Sequence, residues 1–239
     1  MQNLDIGRIV RWSLAIVAIG LVVALFVWNA VTPQTAKSVE TWQPEMTFGS
    51  PQAVNHFIEY VDMMCPYCAK FYLALHDSFD DFQRDFIDTD KIYYELRLVD
   101  IVSEHSQNSY RGNIAGYCAA RQPDKFWGFY ETMQNYLTDN YYSKGIGDKK
   151  GAPEIPKWDN QVFYDQAEQS DLNMDEFRDC FDTQQPKDTL ATNTRKAQIS
   201  MQTNSISGVP YFIFNDYTSS GFEGNYSTIQ RMFKAGGVN

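Results

Sequence analysis

The stretch that decides the fold runs from Phe57 to Cys68 and has the sequence Phe-Ile-Glu-Tyr-Val-Asp-Met-Met-Cys-Pro-Tyr-Cys. Its first half is apolar and aromatic around a single glutamate, which predicts a buried β-strand. The Ala-Lys-Phe-Tyr-Leu-Ala-Leu segment that follows Cys68 predicts a helix. A Cys-x-x-Cys motif at a tight turn between a strand and a helix is typical of thiol–disulfide exchange sites.

Cys65 lies at the predicted start of this helix. Free backbone N–H groups and the helix dipole stabilise a thiolate at such a position. Pro66 suits the first helical turn, because the N–H group that proline lacks would have no helical partner there. Cys65 and Cys68 can therefore close a small ring and reopen it.

Cys-x-x-Cys is also half of a zinc site, which needs two further Cys or His ligands at suitable spacing. The other cysteines, Cys118 and Cys180, are far apart, and the histidines are scattered along the chain at positions 56, 76 and 105. A redox site without a metal is favoured over zinc binding and over a purely structural disulfide within the motif.

The composition limits the possible functions. The 239 residues carry a formal charge of −10, and such an acidic chain lacks the basic face that nucleic acids require. Its 15 Tyr, 16 Phe and 5 Trp residues predict a packed core rather than disorder. Four cysteines are too few for a disulfide-dense scaffold but fit two pairs in an oxidising compartment.

Residues Ile9 to Val31 are almost continuously apolar and carry no charge after Arg11. About 20 such residues cross the hydrocarbon core of a bilayer as a helix. Arg8 and Arg11 precede the run, so the positive-inside rule predicts a cytoplasmic N-terminus and an extracytoplasmic catalytic domain. A cleaved signal peptide is the alternative, but Trp28 or Gln34 would occupy the −3 position of its cleavage site, so an uncleaved anchor is favoured.

Glu59 lies six positions before Cys65, on the strand that leads into the turn. We expect this acid to be buried beneath the second cysteine, where it could accept or deliver the cysteine proton. Burial would raise its pKa toward the working range. The alternative is an exposed carboxylate at a sheet edge. Asp62 is expected to be a turn residue rather than a catalytic one.

Gly208-Val209-Pro210 directly precedes a second buried strand, Tyr211 to Phe214. Proline is the residue that adopts cis peptide bonds readily. We expect a cis Val209–Pro210 bond facing the Cys-x-x-Cys turn, with the backbone of Val209 free to pair with an extended substrate chain.

Taken together, these motifs resemble the DsbA-like thiol:disulfide oxidoreductases of the thioredoxin superfamily, especially the membrane-anchored type. The resemblance covers roughly residues 48 to 235. It also rests on Cys118-Ala119-Ala120 followed by Lys125-Phe126-Trp127, and on Phe177-Arg178-Asp179-Cys180.

The resemblance implies an α/β thioredoxin fold with an all-helical insertion, preceded here by one N-terminal transmembrane helix. It implies that Cys65 is the nucleophile and Cys68 the resolving thiol, with Pro66, Tyr67 and Val209 contacting substrate. The expected partners are exported proteins with free thiols and a quinone-linked membrane reoxidase. No organic cofactor or metal is expected.

Two positions bear on the direction of the reaction. The best-known members have His where this chain has Tyr67, and a histidinium would stabilise the thiolate that makes such a protein a strong oxidant. Val209 resembles the oxidase branch, because thioredoxins and isomerases usually have Thr there. We favour the oxidase over a reductase or isomerase, and over a redox-inert chaperone or binding module.

The expected organisation follows the chain. The boundaries are a cytoplasmic tail at 1–8, the anchor at 9–31, a linker at 32–50, the thioredoxin-like domain at 51–102 and 204–239, and the helical insertion at 103–203. Helices are predicted at 108–121, 125–137, 160–169, 174–182, 187–203 and 226–235, and a long polar loop at 138–156. A short edge strand is predicted at 221–224.

Cys118 and Cys180 each fall within a predicted helix of the insertion. Because the expected compartment is oxidising, we predict a structural disulfide between them, separate from the redox pair. The alternative is two buried free thiols, since cysteine packs well as a small apolar residue.

Overall fold

The computed structural model describes residues 46–103 and 106–238. The predicted tail at 1–8, the anchor at 9–31 and most of the linker lie outside these residues. No helix within the two described ranges is long and apolar enough to cross a membrane.

The centre of the fold is a five-stranded sheet with the strand order β1-β3-β2-β4-β5. The strands are β1 (Thr47–Phe48), β2 (Asn55–Val61), β3 (Ile92–Leu98), β4 (Tyr211–Phe214) and β5 (Tyr217–Ser220). β2 and β3 are parallel, and the other neighbouring pairs are antiparallel. The parallel pair is joined through helix α1 (Pro66–His76), followed by a short helix α2 (Phe79–Phe82) and a π-helical turn at Gln83–Ile87.

Between β3 and β4 the described chain is helical. It contains α3 (Ser109–Ala119), α4 (Phe126–Asn140), a 3-10 turn (Tyr142–Lys144), α5 (Asn160–Gln169), α6 (Met174–Asp182) and α7 (Lys187–Thr203). Helix α8 (Tyr226–Ala235) closes the chain after β5. Side-chain caps fix the starts of α5 and α6, where Asp159 and Asn173 accept hydrogen bonds from backbone N–H groups.

The alternation of β2 sends its side chains to opposite faces of the sheet. On one face, the ring of Phe57 packs against Phe71 of α1 and Phe233 of α8, with ring centroids 6.2 and 5.0 Å away. On the other face, Tyr60 stacks on Tyr211 at 5.6 Å. The hydroxyl groups of Tyr211 and Ser200 of α7 are hydrogen-bonded, 2.8 Å apart. Glu59 shares the face of Phe57, so its side chain lies beneath α1.

Two details differ from the sequence-based expectations. Thr47–Phe48 lie in the predicted linker but form β1, which pairs with β3; two residues are too few to produce a strand periodicity. The edge strand is Tyr217–Ser220 rather than 221–224, so it pairs with β4 across a tight turn. Helix α7, in the predicted insertion, also bonds to the sheet region: Thr194 Oγ1 accepts from Asp100 N at 2.8 Å, and the Ser200 hydroxyl is hydrogen-bonded to that of Tyr211.

Helix α3 and helix α6 are joined by a disulfide between Cys118 and Cys180, whose Cα atoms are 5.7 Å apart. This is the pairing that the sequence analysis predicted. The bond closes a segment of 62 residues that contains α4 and α5, so it ties together the two ends of the helical region.

Candidate active site

The two cysteines of the motif occupy different environments. Cys65 is the N-cap of α1, and its Sγ accepts a hydrogen bond from Cys68 N at 3.4 Å. Its thiol donates to the carbonyl oxygen of Val209 at 3.3 Å. Cys68 lies inside the helix and is fully buried. Cys65 is 2% exposed and lines the surface groove described below, whereas Cys68 does not line it.

Val209 and Pro210 are joined by a cis peptide bond, as expected. The turn that contains them lies directly against Cys65, since the Val209 carbonyl accepts the thiol hydrogen bond. The motif and this turn are 144 positions apart in the sequence. The sheet brings them together because β2 and β4 are neighbours, with Tyr60 opposite Tyr211.

A groove of about 840 Å³ opens beside Cys65. The predicted substrate-contacting residues Pro66, Tyr67 and Val209 all line it. One further wall comes from the loop after β5, and another from the polar loop of the helical region, which contributes residues between Gly147 and Ile155. The position of that polar loop beside Cys65 makes it part of the candidate substrate surface.

A positive charge lies next to Tyr67. The Nζ atom of Lys70 is 4.7 Å from the centroid of the Tyr67 ring, a cation–π distance. It is also 3.8 Å from Glu223 Oε1, on the other wall of the groove. Tyr67 therefore has a basic neighbour, supplied one helical turn later.

Glu59 is buried beneath the motif, as the sequence analysis expected. Tyr94 of β3 donates a hydrogen bond to Glu59 Oε2. Burial raises the pKa of Glu59 to about 8, and the Tyr94 hydrogen bond opposes that rise. Burial, the hydrogen bond with Cys65 and the nearby Cys65 and Glu59 charges raise the pKa of the Cys68 thiol. Glu59 and Cys68 are thus neighbours that both favour the protonated form.

Asp62 is also buried, although the sequence suggested only a turn residue. Its carboxylate accepts four hydrogen bonds: from Met64 N at 3.1 Å, from Ile101 N and Val102 N at 2.9 Å each, and from Ser109 Oγ at 2.6 Å. Burial raises the pKa of Asp62, and these hydrogen bonds oppose the rise. The residue joins the active-site turn to the start of the helical region.

The helical region holds the rest of the turn through side chains that the sequence analysis did not identify. Asn113 Oδ1 accepts from Met63 N at 3.0 Å, Gln134 Nε2 donates to Met63 O at 3.3 Å, and Tyr142 Oη donates to Met64 O at 2.9 Å. Gly112 allows this approach, because a Cβ atom there would lie 3.2 Å from the Met63 side chain.

The predicted site residues therefore separate into three groups. Cys65, Pro66, Tyr67 and Val209 meet at the groove, with Pro210 holding the turn behind them. Cys68 and Glu59 lie beneath it, and Cys118 and Cys180 lie in the helical region. In the described part of the chain, no three His, Cys, Asp or Glu side chains converge to hold a metal ion.

A Cys-x-x-Cys motif at a helix start, facing a cis-proline turn on a mixed sheet, defines a thioredoxin-type protein. A family model described as Thioredoxin matches residues 41–233. The chain therefore belongs to the thioredoxin family. No curated protein matches it.

Three solved structures show which branch of the fold it resembles. DsbA from Chlamydia trachomatis is 16% identical with a TM-score of 0.58, covering 83% of this chain and 92% of that one. BdbD from Bacillus subtilis is 21% identical with a TM-score of 0.55 (80% and 91%). The thiol-disulfide oxidoreductase MdbA from Corynebacterium diphtheriae is 13% identical with a TM-score of 0.57 (77% and 85%). The fold is therefore DsbA-like.

Proposed function

We propose that this protein is a thiol:disulfide oxidoreductase that introduces disulfides into exported proteins. The observation that carries the proposal is the asymmetry of the motif. Cys65 caps a helix and faces a groove and the Val209 carbonyl, whereas Cys68 is enclosed beside Glu59. One thiol can meet a substrate, and the other can react only within the protein.

The reaction begins when a substrate thiolate attacks Cys65 Sγ of the Cys65–Cys68 disulfide. As the Sγ–Sγ bond breaks, Cys68 leaves with the electron pair. Cys68 then takes up a proton from Glu59. A second substrate thiolate then attacks the substrate sulfur of the mixed disulfide and releases Cys65 as a thiolate. The substrate loses two electrons, and the protein gains them as a dithiol. Helix-end stabilisation of Cys65 makes it the better leaving group in this last step.

The proposal extends to location and partners. The apolar run at 9–31 is proposed as an uncleaved anchor with the catalytic domain outside the cytoplasmic membrane, where exported proteins with free thiols are the substrates. A quinone-linked membrane protein would reoxidise the dithiol. Support comes from the sequence of the run and from the resemblance to the anchored DsbA-like proteins.

The test is oxidation of a reduced two-cysteine peptide by stoichiometric oxidised protein. We expect full oxidation by the wild type and none by Cys65→Ser or Cys68→Ser, because neither variant can form the Cys65–Cys68 disulfide that accepts the two electrons of the peptide. A measured reduction potential decides whether the protein oxidises or reduces its substrates. A value as low as that of thioredoxin, about −270 mV, would replace the oxidase with a reductase, the outcome that Tyr67 favours.

A further inference from the structure

The two carboxyl oxygens of Glu59 differ in their contacts. Oε2 accepts the hydrogen bond from the hydroxyl group of Tyr94. Oε1 is buried and has no hydrogen-bond partner among the described residues. Tyr94 therefore fixes one oxygen of the carboxyl group and leaves the other available to a proton carrier.

Few titratable groups surround this carboxyl group. Cys68 and Cys65 belong to α1, Tyr94 belongs to β3, and Tyr130 of α4 interacts electrostatically with Glu59 and both cysteines. The residue opposite Glu59 on β4 is Phe212, which does not titrate. Cys68 is fully buried, so its proton must first move to a neighbour inside the protein. Glu59 is the buried carboxyl group that interacts with Cys68 and can take up this proton.

We propose that Tyr94 is a positioning residue that orients Glu59 for proton exchange with Cys68, an inference that rests on the proposed oxidoreductase function. The Tyr94 hydroxyl holds Oε2, and Oε1 exchanges the proton. Burial and the Glu59 charge raise the pKa of Tyr94 well above its ordinary value. Tyr94 therefore keeps its own proton and acts as a fixed donor rather than as a competing base.

The step that isolates this role is the formation of the Cys65–Cys68 disulfide within the protein, called closure below. In a mixed disulfide between Cys65 and glutathione, the Cys68 thiol gives its proton to Glu59 Oε1. The Cys68 thiolate then attacks Cys65 Sγ, a bond forms between the two cysteines, and glutathione leaves as a thiolate. One disulfide replaces another, so no external oxidant is needed.

The experiment measures the rate of this closure against pH, using full-length protein with preformed Cys65–glutathione disulfide, acid quenching and mass spectrometry. In the wild type the rate should rise with pH as Glu59 loses its proton, with an inflection near its pKa of about 8. Tyr94→Phe removes the hydrogen bond that favours the carboxylate. The inflection should then move upward by about one pH unit, the size expected for one hydrogen bond to a charged group.

The controls separate a positioning role from a structural one. Tyr117→Phe removes another buried hydroxyl, which donates to Leu98 O at 2.9 Å, and should leave the inflection in place. In a Glu59→Gln background, Tyr94→Phe should have no further effect. A Tyr94→Phe profile that matches the wild type, or an equal shift in Tyr117→Phe, would overturn the inference.

Two further measurements guard against ambiguous results. The difference in infrared absorption between wild type and Glu59→Gln isolates the protonated Glu59 carbonyl band, which should move to higher frequency in Tyr94→Phe. If Tyr94→Phe does not melt cooperatively, Tyr94→Met takes its place with the same expected shift. If Cys65 forms no mixed disulfide with glutathione at all, the proposed function fails rather than the role of Tyr94.

Discussion

Glu59 and Asp62 are buried carboxylates three positions apart, yet their surroundings are opposite. Glu59 accepts one hydrogen bond, from a side chain, and its second oxygen has no partner among the described residues. Asp62 accepts four, three of them from backbone N–H groups. Burial alone therefore does not identify a catalytic acid. The number of fixed donors decides whether a carboxyl group is free to exchange a proton.

The two regions also serve different parts of the molecule. The Glu59 region lies beneath α1, among the residues of the parallel strands. The Asp62 region joins the active-site turn to the helical region, with Asn113, Gln134 and Tyr142 continuing the same contacts at Met63 and Met64. We expect changes in the first region to alter the pH dependence of stability and of disulfide closure, and changes in the second to alter stability without moving the pH inflection of closure.

The largest expected effect is the pH dependence of stability at Glu59. The unfolded chain releases this proton near the ordinary glutamate pKa of 4.5, whereas the folded protein keeps it to about pH 8. The folded state thus binds more protons in this window, so the free energy of unfolding should fall as pH rises through it. The total loss is on the order of 5 kcal/mol.

Chemical unfolding of wild type and Glu59→Gln from pH 4 to pH 9 measures this effect. Glu59→Gln has no carboxyl group that loses stability as pH rises. Its free energy of unfolding relative to the wild type should therefore increase from pH 4.5 to pH 8 and stay constant above that. A constant difference across the whole range would show that Glu59 does not keep its proton in the folded protein.

The next largest effect is expected from the disulfide. Replacing Cys118 and Cys180 by Ser opens a closed segment of 62 residues, which in the chain-entropy model costs about 4 kcal/mol of stability. The melting temperature should fall, while the closure rate of the Cys65–glutathione disulfide and its pH inflection should stay at wild-type values. A shift of that inflection would show that the helical region controls Glu59 after all.

Asp62→Ala should cost about 3 kcal/mol of unfolding free energy, because it leaves three backbone N–H groups without their acceptor. Asp62→Asn is the matched control, since the amide oxygen can still accept some of these bonds and should recover part of the loss. Denaturant unfolding measures both. Equal stabilities for wild type and Asp62→Ala would remove Asp62 from the contacts that hold the turn.

The sequence predicted the parts of this site that depend on local patterns. The helices at 160–169, 174–182 and 187–203 have the predicted bounds, because their apolar spacing is a local signal, and Asp159 and Asn173 cap the first two. Cys65, Cys68 and Glu59 could be located because strand, turn and helix follow one another directly. The cis bond at Pro210 was expected because Gly208-Val209-Pro210 precedes a strand in a chain that also has the Cys-x-x-Cys motif.

The missed residues depend on distant contacts. The donors to Asp62 in the helical region are 39 to 47 positions away, and Tyr142 is 78 positions from Met64. Tyr94 reaches Glu59 because the register of the parallel strands places it opposite Phe57. A strand pattern in the sequence shows that Tyr94 is inward-facing but gives no register, so the partner could not be named.

The smallest effect that still tests the comparison is expected at Tyr142. Its hydroxyl donates to Met64 O, next to Cys65, at 2.9 Å. Tyr142→Phe keeps the ring against Met64 and removes one hydrogen bond, so unfolding should become easier by about 1 kcal/mol. The pH inflection of closure should not move, because this contact belongs to the side of the turn held by Asp62 and not to Glu59. Tyr110→Phe, whose hydroxyl donates to Gln184 Oε1 at 3.0 Å away from the turn, is the matched control for losing a hydroxyl. If Tyr142→Phe moved the inflection while Tyr110→Phe did not, the two regions would be coupled through the backbone of Met64, and the division between proton transfer and anchoring would not hold at the turn itself.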